Sequence, residues 1–111
     1  MAFEVFKNDS GKFYFNLKAS NGQVILSSQG YAAKSGAMNG VQSVINHATS
    51  DDNFERKEAK DGSVFFTLKA SNGQIIGKSQ MYKAATGMEN GIASVKKNAT
   101  ADAAVKDLTV E

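Results

Sequence analysis

The sequence predicts an α+β fold: two tandem units of three strands and a helix, followed by a last strand, forming one domain over residues 1–111, with the repeats at about 3–53 and 54–111. Three observations predict it. The heptapeptide Leu17-Lys18-Ala19-Ser20-Asn21-Gly22-Gln23 returns unchanged 51 residues later as Leu68-Lys69-Ala70-Ser71-Asn72-Gly73-Gln74. At the same offset Phe3–Thr49 align with Phe54–Thr100 without a gap, and about half the positions are identical. Each copy places Asn-Gly between two apolar runs, the strongest short-range signal of a β-hairpin. A period of about 50 residues can mark a solenoid or propeller, but two copies are too few for either. A closed two-fold arrangement is expected instead.

Each unit opens with a short strand, Phe3–Lys7 and Phe54–Glu58, followed by a turn at Asp9-Ser10-Gly11 or Asp61-Gly62. Hairpin strands are expected near Lys12–Ala19 and Gln23–Ser28, and near Ser63–Ala70 and Gln74–Ser79. A two-residue turn puts Asn21 and Gly22 at positive φ. It pairs Ser20 with Gln23, Ala19 with Val24, Lys18 with Ile25 and Leu17 with Leu26. Successive side chains alternate faces, so Phe13, Phe15, Leu17, Val24 and Leu26 share the core face, matched by Val64, Phe66, Leu68 and Ile75. The second face carries Asn16, Lys18 and Ser27, but also Tyr14 and Ile25, with Phe65 and Ile76 in the second copy. That is more apolar than a fully solvated face.

A helix follows in each unit, preceded by Tyr31 or Tyr82. Ser35 and Thr86 are expected N-caps, and Thr86-Gly87-Met88-Glu89 has capping-box spacing. Apolar residues at Ala37, Val41, Val44 and Ala48, and at Met88, Ile92, Val95 and Ala99, form one helical stripe. Gly40 and Gly91 lie inside the helices, where glycine costs about 1 kcal/mol against alanine. Their presence in both copies points to a close approach of the helix to a strand or to the preceding tyrosine. Lys96 and Lys97 suit the negative end of the second helix dipole. A last strand is expected at Val105–Val110, in register with Phe54 and Phe3.

Composition narrows the function classes. The chain has 41% apolar and 22% charged residues, ordinary for a soluble globular protein, and no apolar run near the ~20 residues of a membrane span. The opening residues show no basic region followed by a long apolar core, so no secretory leader is expected. The sequence has no cysteine, which removes disulfides and thiolate chemistry; a cytoplasmic location is expected. Net charge is +2, and each half contributes +1. A dedicated nucleic-acid binder carries a more concentrated basic face.

The catalytic inventory is thin. His47 is the single histidine, and its repeat partner is Asn98; a surface or capping role is expected. Asp51-Asp52 and the other carboxylates read as solvated charge. Asn39-Gly40 and Asn90-Gly91 lack phosphate-loop spacing. No catalytic residue, metal site or cofactor is expected, and no enzyme activity.

The chain also resembles a known family. Tyr14-Phe15 and Phe65-Phe66, each followed after one residue by Leu-Lys-Ala-Ser-Asn-Gly-Gln, then Ser28-Gln29-Gly30-Tyr31 or Ser79-Gln80-Met81-Tyr82, then Asn39-Gly40-Val41 or Asn90-Gly91-Ile92, resemble the YegP-like proteins over nearly the whole length. The resemblance implies an α+β fold of two tandem β3-α-β units that share one sheet by exchanging their C-terminal strands. It carries no assigned biochemical role. Gln29 and Gln80 stand where relatives often have an acidic residue, which weakens any idea of a catalytic acid there.

The expectation is therefore a small non-catalytic structural or interaction module. Its candidate contact face is Tyr14, Lys18, Ile25, Phe65, Lys69 and Ile76, meeting a protein partner or a second copy of the chain. The alternative is weak nucleic-acid binding through Lys18, Lys69 and the adjoining aromatics, by stacking and phosphate contact. No membrane partner is expected.

Overall fold

The structure is a computed structural model that describes residues 2–19 and 21–109. Its elements run β1 (Ala2–Lys7), β2 (Phe13–Lys18), β3 (Val24–Ser27), α1 (Lys34–His47), a 3-10 turn at Asp51–Asn53, β4 (Phe54–Glu58), β5 (Val64–Lys69), β6 (Ile75–Lys78), α2 (Ala85–Asn98) and β7 (Ala104–Asp107). The expected order of strands and helices holds. The seven strands form one sheet in the order β4-β5-β6-β3-β2-β1-β7. β3 and β6 meet antiparallel through the repeat-related pair Ser27 and Lys78, so the axis relating the two units passes between them. β7 lies parallel to β1. Val110, the expected end of the last strand, lies outside the described residues.

Both helices cover one face of the sheet. Phe3, Val5, Phe15, Leu17 and Leu26 from the first unit and Phe54, Phe66 and Leu68 from the second are buried there. Both helical stripes bury against them, from Ala37 to Ala48 and from Met88 to Ala99. Phe13 and Val64 pack at the margin. The interior glycines serve the expected close approach. A Cβ on Gly40 would sit 2.7 Å from Tyr31 Oη and from Phe15, and one on Gly91 would collide with Tyr82 Oη. Each tyrosine ring is held between its helix and a core phenylalanine, with centroids 6.4 Å apart for both Phe15–Tyr31 and Phe66–Tyr82.

The hairpins depart from the expected geometry. No described residue other than glycine has positive φ, and Gly22 and Gly73 adopt φ 84° and 83°. The Gly22 N–H donates to Ala19 O, and the Ala19 N–H to Gln23 O. The loop therefore takes three residues, a turn followed by a left-handed glycine. Ser20, the expected partner of Gln23, lies outside the described residues. Lys18 now pairs with Val24 while Leu17 keeps Leu26, with a bulge between them, and the second hairpin repeats this with Lys69–Ile75 and Leu68–Gly77. Ile25 and Ile76 are the extra residues of the two bulges.

The faces are corrected accordingly. A bulge re-aims the side chain it carries, so Ile25 and Ile76, expected on the second face, are 5% and 7% exposed within the core. Ile75, expected inside, is 40% exposed, and Val24 is only half-buried.

The helix starts differ too. The N-caps are Ala33 and Ala84, with extended backbone and no side-chain cap bond. Ser35 and Thr86 fall inside the first turn. Paired backbone bonds of Tyr31 to Phe13 and of Tyr82 to Val64 fix the chain immediately upstream, leaving two residues before the helix must begin.

The sheet edges are asymmetric. β4 is an outer strand with the sequence Phe-Glu-Arg-Lys-Glu, and charge blunts such an edge against further pairing. Arg56 bonds both Glu89 (2.6 Å) and Asp51 (3.1 Å), and Lys96 reaches Asp51 at 2.7 Å. The repeat equivalents of Arg56, Glu89 and Lys96 are Val5, Met38 and Ile45. On that apolar side β7 covers the edge, anchored by the Lys34–Asp107 ion pair and by the Leu108 N–H donating to Val5 O.

Candidate functional site

The residues expected on the second sheet face divide. Tyr14 remains there, stacked on Phe6 at 5.7 Å, and Phe65 remains with Lys78 over its ring at 4.9 Å. Lys18 and Lys69 also remain, but each is engaged. Lys18 pairs with Glu4 at 3.0 Å and Lys69 with Glu55 at 2.7 Å, and Lys57 also meets Glu55. Hydrogen bonds from Lys69 and Lys57 lower the Glu55 carboxyl to a pKa of about 2. Thr67 lies in this face, buried, with no partner for its hydroxyl among the described residues. Ile25 and Ile76 are absent from it.

A different site is assembled across the two units. The first hairpin lies beside α2, leaving an open groove of about 210 Å³. Asn21 and Gln23 of the hairpin loop form one wall, with Ile25 below. Gly87, Asn90, Gly91 and Ser94 form the other, at the i, i+3, i+4 and i+7 positions of one helix face. Gln80 and Tyr82 also line it. All ten lining residues are identical in the other repeat, where about half would be expected from the overall similarity.

Packing explains part of that identity. Ile25 is core, Gly91 admits the tyrosine, and Asn21 Oδ1 accepts the Gln23 N–H to shape the loop. Packing does not explain Gln23 and Asn90, and reaches Gln80 only through its equivalent Gln29, whose side chain bonds the Tyr31 hydroxyl. The side chains of Gln23, Gln80 and Asn90 are exposed and make no hydrogen bond among the described residues, and their equivalents Gln74, Gln29 and Asn39 are also kept and exposed. The groove has no histidine, carboxylate or ammonium in its lining.

The equivalent junction, between the second hairpin and α1, carries a clasp. His47 Nδ1 donates to Ser43 O at 2.8 Å, which leaves Nε2 to accept the Ser71 N–H at 3.2 Å. The repeat partner Asn98 turns back instead, donating to Ser94 O and Oγ. Burial pushes the Tyr31 phenol above its ordinary pKa, offset in part by a hydrogen bond from Gln29.

A larger cavity, about 440 Å³, lies beside the end of β1 and is lined by Phe6, Lys7, Phe13, Lys34 and Leu108 among others. Its residues are not kept between repeats: Phe6 is matched by Lys57 and Lys34 by Ala85. Lys34 is already paired with Asp107. No group of three or more acidic, histidine or cysteine residues able to hold a metal occurs among the described residues, and none of their helices is long and apolar enough to cross a membrane.

Comparison with known proteins places this geometry in a family. The family described as "Domain of unknown function (DUF1508)" matches twice, at residues 8–55 and 59–107. The chain is 47% identical over 107 residues to the UPF0339 protein YegP of Escherichia coli strain K12, covering 96% of each. The chain belongs to the YegP-like UPF0339 family. It is also 44% identical over 108 residues to YegP of Yersinia pestis, covering 97% of this chain and 96% of that protein. The solution NMR structure of E. coli YegP, described as a protein of unknown function, matches with a TM-score of 0.92 at 44% identity, over 99% of this chain and 94% of that one. A UPF0339 protein of Shewanella oneidensis matches at 0.93 and 44% identity, over 99% and 92%. The family is thus defined by its duplicated fold, and its names assign no activity.

Sequence reasoning quoted the residues of the groove but not as a site. The signal was present in the repeat itself: Gln23 and Asn90 are exposed and kept in both copies as Gln74 and Asn39, with no core position to explain them.

Proposed function

We propose that the chain is a non-catalytic binding module that takes its ligand in the groove between the first hairpin and α2. One observation carries this reading: exposed Gln23, Gln80 and Asn90, without internal partners, converge on a groove whose whole lining is duplicated. Amides, hydroxyls and aliphatic groups can hold a ligand, but they offer no acid–base pair tuned for catalysis. The test is to add clarified bacterial lysate, and its dialysable and retained fractions, to isotope-labelled protein. Movement of the side-chain NH2 resonances of Gln23, Gln80 and Asn90 is expected, and the Gln80→Ala, Asn90→Ala double variant should lose the response. Lysate that moves none of them rejects the reading.

A second reading keeps the open sheet face as a surface for a protein partner or a second copy. Ile75, 40% exposed, together with Phe6, Tyr14 and Phe65, favours it. Its test is the oligomeric state of Tyr14→Ser, Ile75→Ser protein by light scattering; an unchanged monomer at all concentrations counts against self-association. Nucleic-acid binding through Lys18 and Lys69 draws less support, because both lysines are engaged by glutamates. It requires shifts with oligonucleotides that fade as salt rises.

We also read the chain as one folding domain whose units exchange their last strands, a reading supported by the parallel pairing of β7 with β1. A cytoplasmic location is supported by the cysteine-free sequence and is tested by cell fractionation.

A further inference from the structure

We infer that the groove between the first hairpin and α2 recognises the backbone of an extended, uncharged peptide segment; this rests on the binding role proposed above. The size of the site comes first. Sites for small molecules enclose most of the ligand and run to about 300–1,000 Å³. This groove holds about 210 Å³ and is an open trough, so a chain passing through it is a better occupant than a compact molecule.

The chemistry of the walls comes second. A side-chain carboxamide offers one acceptor and two donors, and can meet the C=O and N–H of one peptide unit together. Gln23, Gln80 and Asn90 present three such groups, none engaged internally among the described residues. The lining contains no fixed charge, so it selects neither an acidic nor a basic segment.

A saccharide chain would share the demand for polar contacts, but the aromatic geometry disfavours it. Sugar rings are typically held against an open aromatic face. Tyr82 stacks on Phe66 with centroids 6.4 Å apart. On the helix side its ring lies 3.3 Å from where a Gly87 Cβ would be, and its hydroxyl is against Gly91. Both faces of the ring are thus covered within the fold.

The experiment titrates isotope-labelled full-length protein with three probes: an unstructured decapeptide of Ser, Thr, Val and Gln with blocked termini, the same peptide N-methylated at alternate residues, and maltohexaose. The plain peptide should move the carboxamide NH2 resonances of Gln23, Gln80 and Asn90, with little change between low and high salt. N-methylation removes backbone donors and should weaken binding roughly tenfold, as expected for loss of one or two such bonds. Asn90→Ala sits at an exposed helix position where alanine is a better helix former, so the variant folds; it should weaken the plain peptide roughly fivefold. Equal binding of the methylated peptide, or shifts with maltohexaose alone, overturns the ligand class and leaves the binding role standing. No carboxamide shift with the plain peptide at millimolar concentration also overturns it, and the lysate experiment then decides separately whether the groove binds anything.

Discussion

Replacing Gly77 by alanine tests how the two units share the axis between them. Gly77 of β6 is the repeat equivalent of Leu26 of β3, and the two face each other where the units meet. A Cβ on Gly77 would lie 2.7 Å from both Leu26 Cγ and Cδ2 and 3.0 Å from Cδ1. Optimal carbon–carbon contacts are about 3.5–4.0 Å, so the added methyl intrudes by roughly 1 Å. Leu26 is fully buried and has no room to swing aside, and overpacking of this kind costs about 1–3 kcal/mol. Leu26→Ala alone should cost about 2–5 kcal/mol through lost burial and the cavity left behind. In that background the Gly77 methyl enters vacated space, and its own cost should fall to about zero. Urea denaturation of the parent, both single variants and the double variant gives the coupling directly. A Gly77→Ala variant as stable as the parent, or equally costly with and without Leu26, would refute the shared-space argument.

Four further outcomes are expected. Ile76→Ser should lose about 2–4 kcal/mol, since it buries a hydroxyl in place of a core side chain, while Ile75→Ser stays within about 0.5 kcal/mol; equal effects in urea titrations would contradict the bulged register. Gly91→Ala should destabilise despite alanine's helix preference of about 1 kcal/mol, and should cost less in Tyr82→Ala protein, where only Phe66 at 3.2 Å still crowds the methyl; an equal effect in both backgrounds would remove the close approach to the tyrosine. Thr67→Val should be neutral or stabilise by about 1 kcal/mol, because it removes a buried hydroxyl without a protein partner; a loss above 1 kcal/mol would show that the hydroxyl is bonded after all. Finally, Asp51, Glu55 and Asp107 are each pulled to about 2 by hydrogen bonds from Arg56, from Lys69 and from Lys34 respectively. A depressed native pKa favours the ionised folded state, so this stability is present above the ordinary carboxylate range near 4 and is lost as pH falls from about 4 to about 2. High salt should blunt the loss because the pairs are exposed, and a urea midpoint that does not change between pH 5 and pH 2 would disprove the linkage.

By itself the sequence determined what is local or duplicated. The strand positions, the stripes from Ala37 to Ala48 and from Met88 to Ala99, and the purpose of Gly40 and Gly91 all followed from side-chain period and from comparing one repeat with the other. Periods of 2 and 3.6 act over a few residues, and the same residues then pack as the period implies. The tertiary structure decided what depends on a single-residue offset or on distant partners. A three-residue loop in place of a two-residue one, offset by a bulge, sent Ile25 and Ile76 inward and Ile75 outward, because a slip of one residue reverses a strand's faces. N-caps at Ala33 and Ala84 followed from the bridges of Tyr31 and Tyr82 to other strands, which outrank a local capping pattern. The single leucine at the axis, Leu26 against Gly77, follows from a two-fold arrangement that leaves space for one large side chain. The groove itself joins Gln23 to Asn90, residues of different units that only the packing of hairpin on helix brings together.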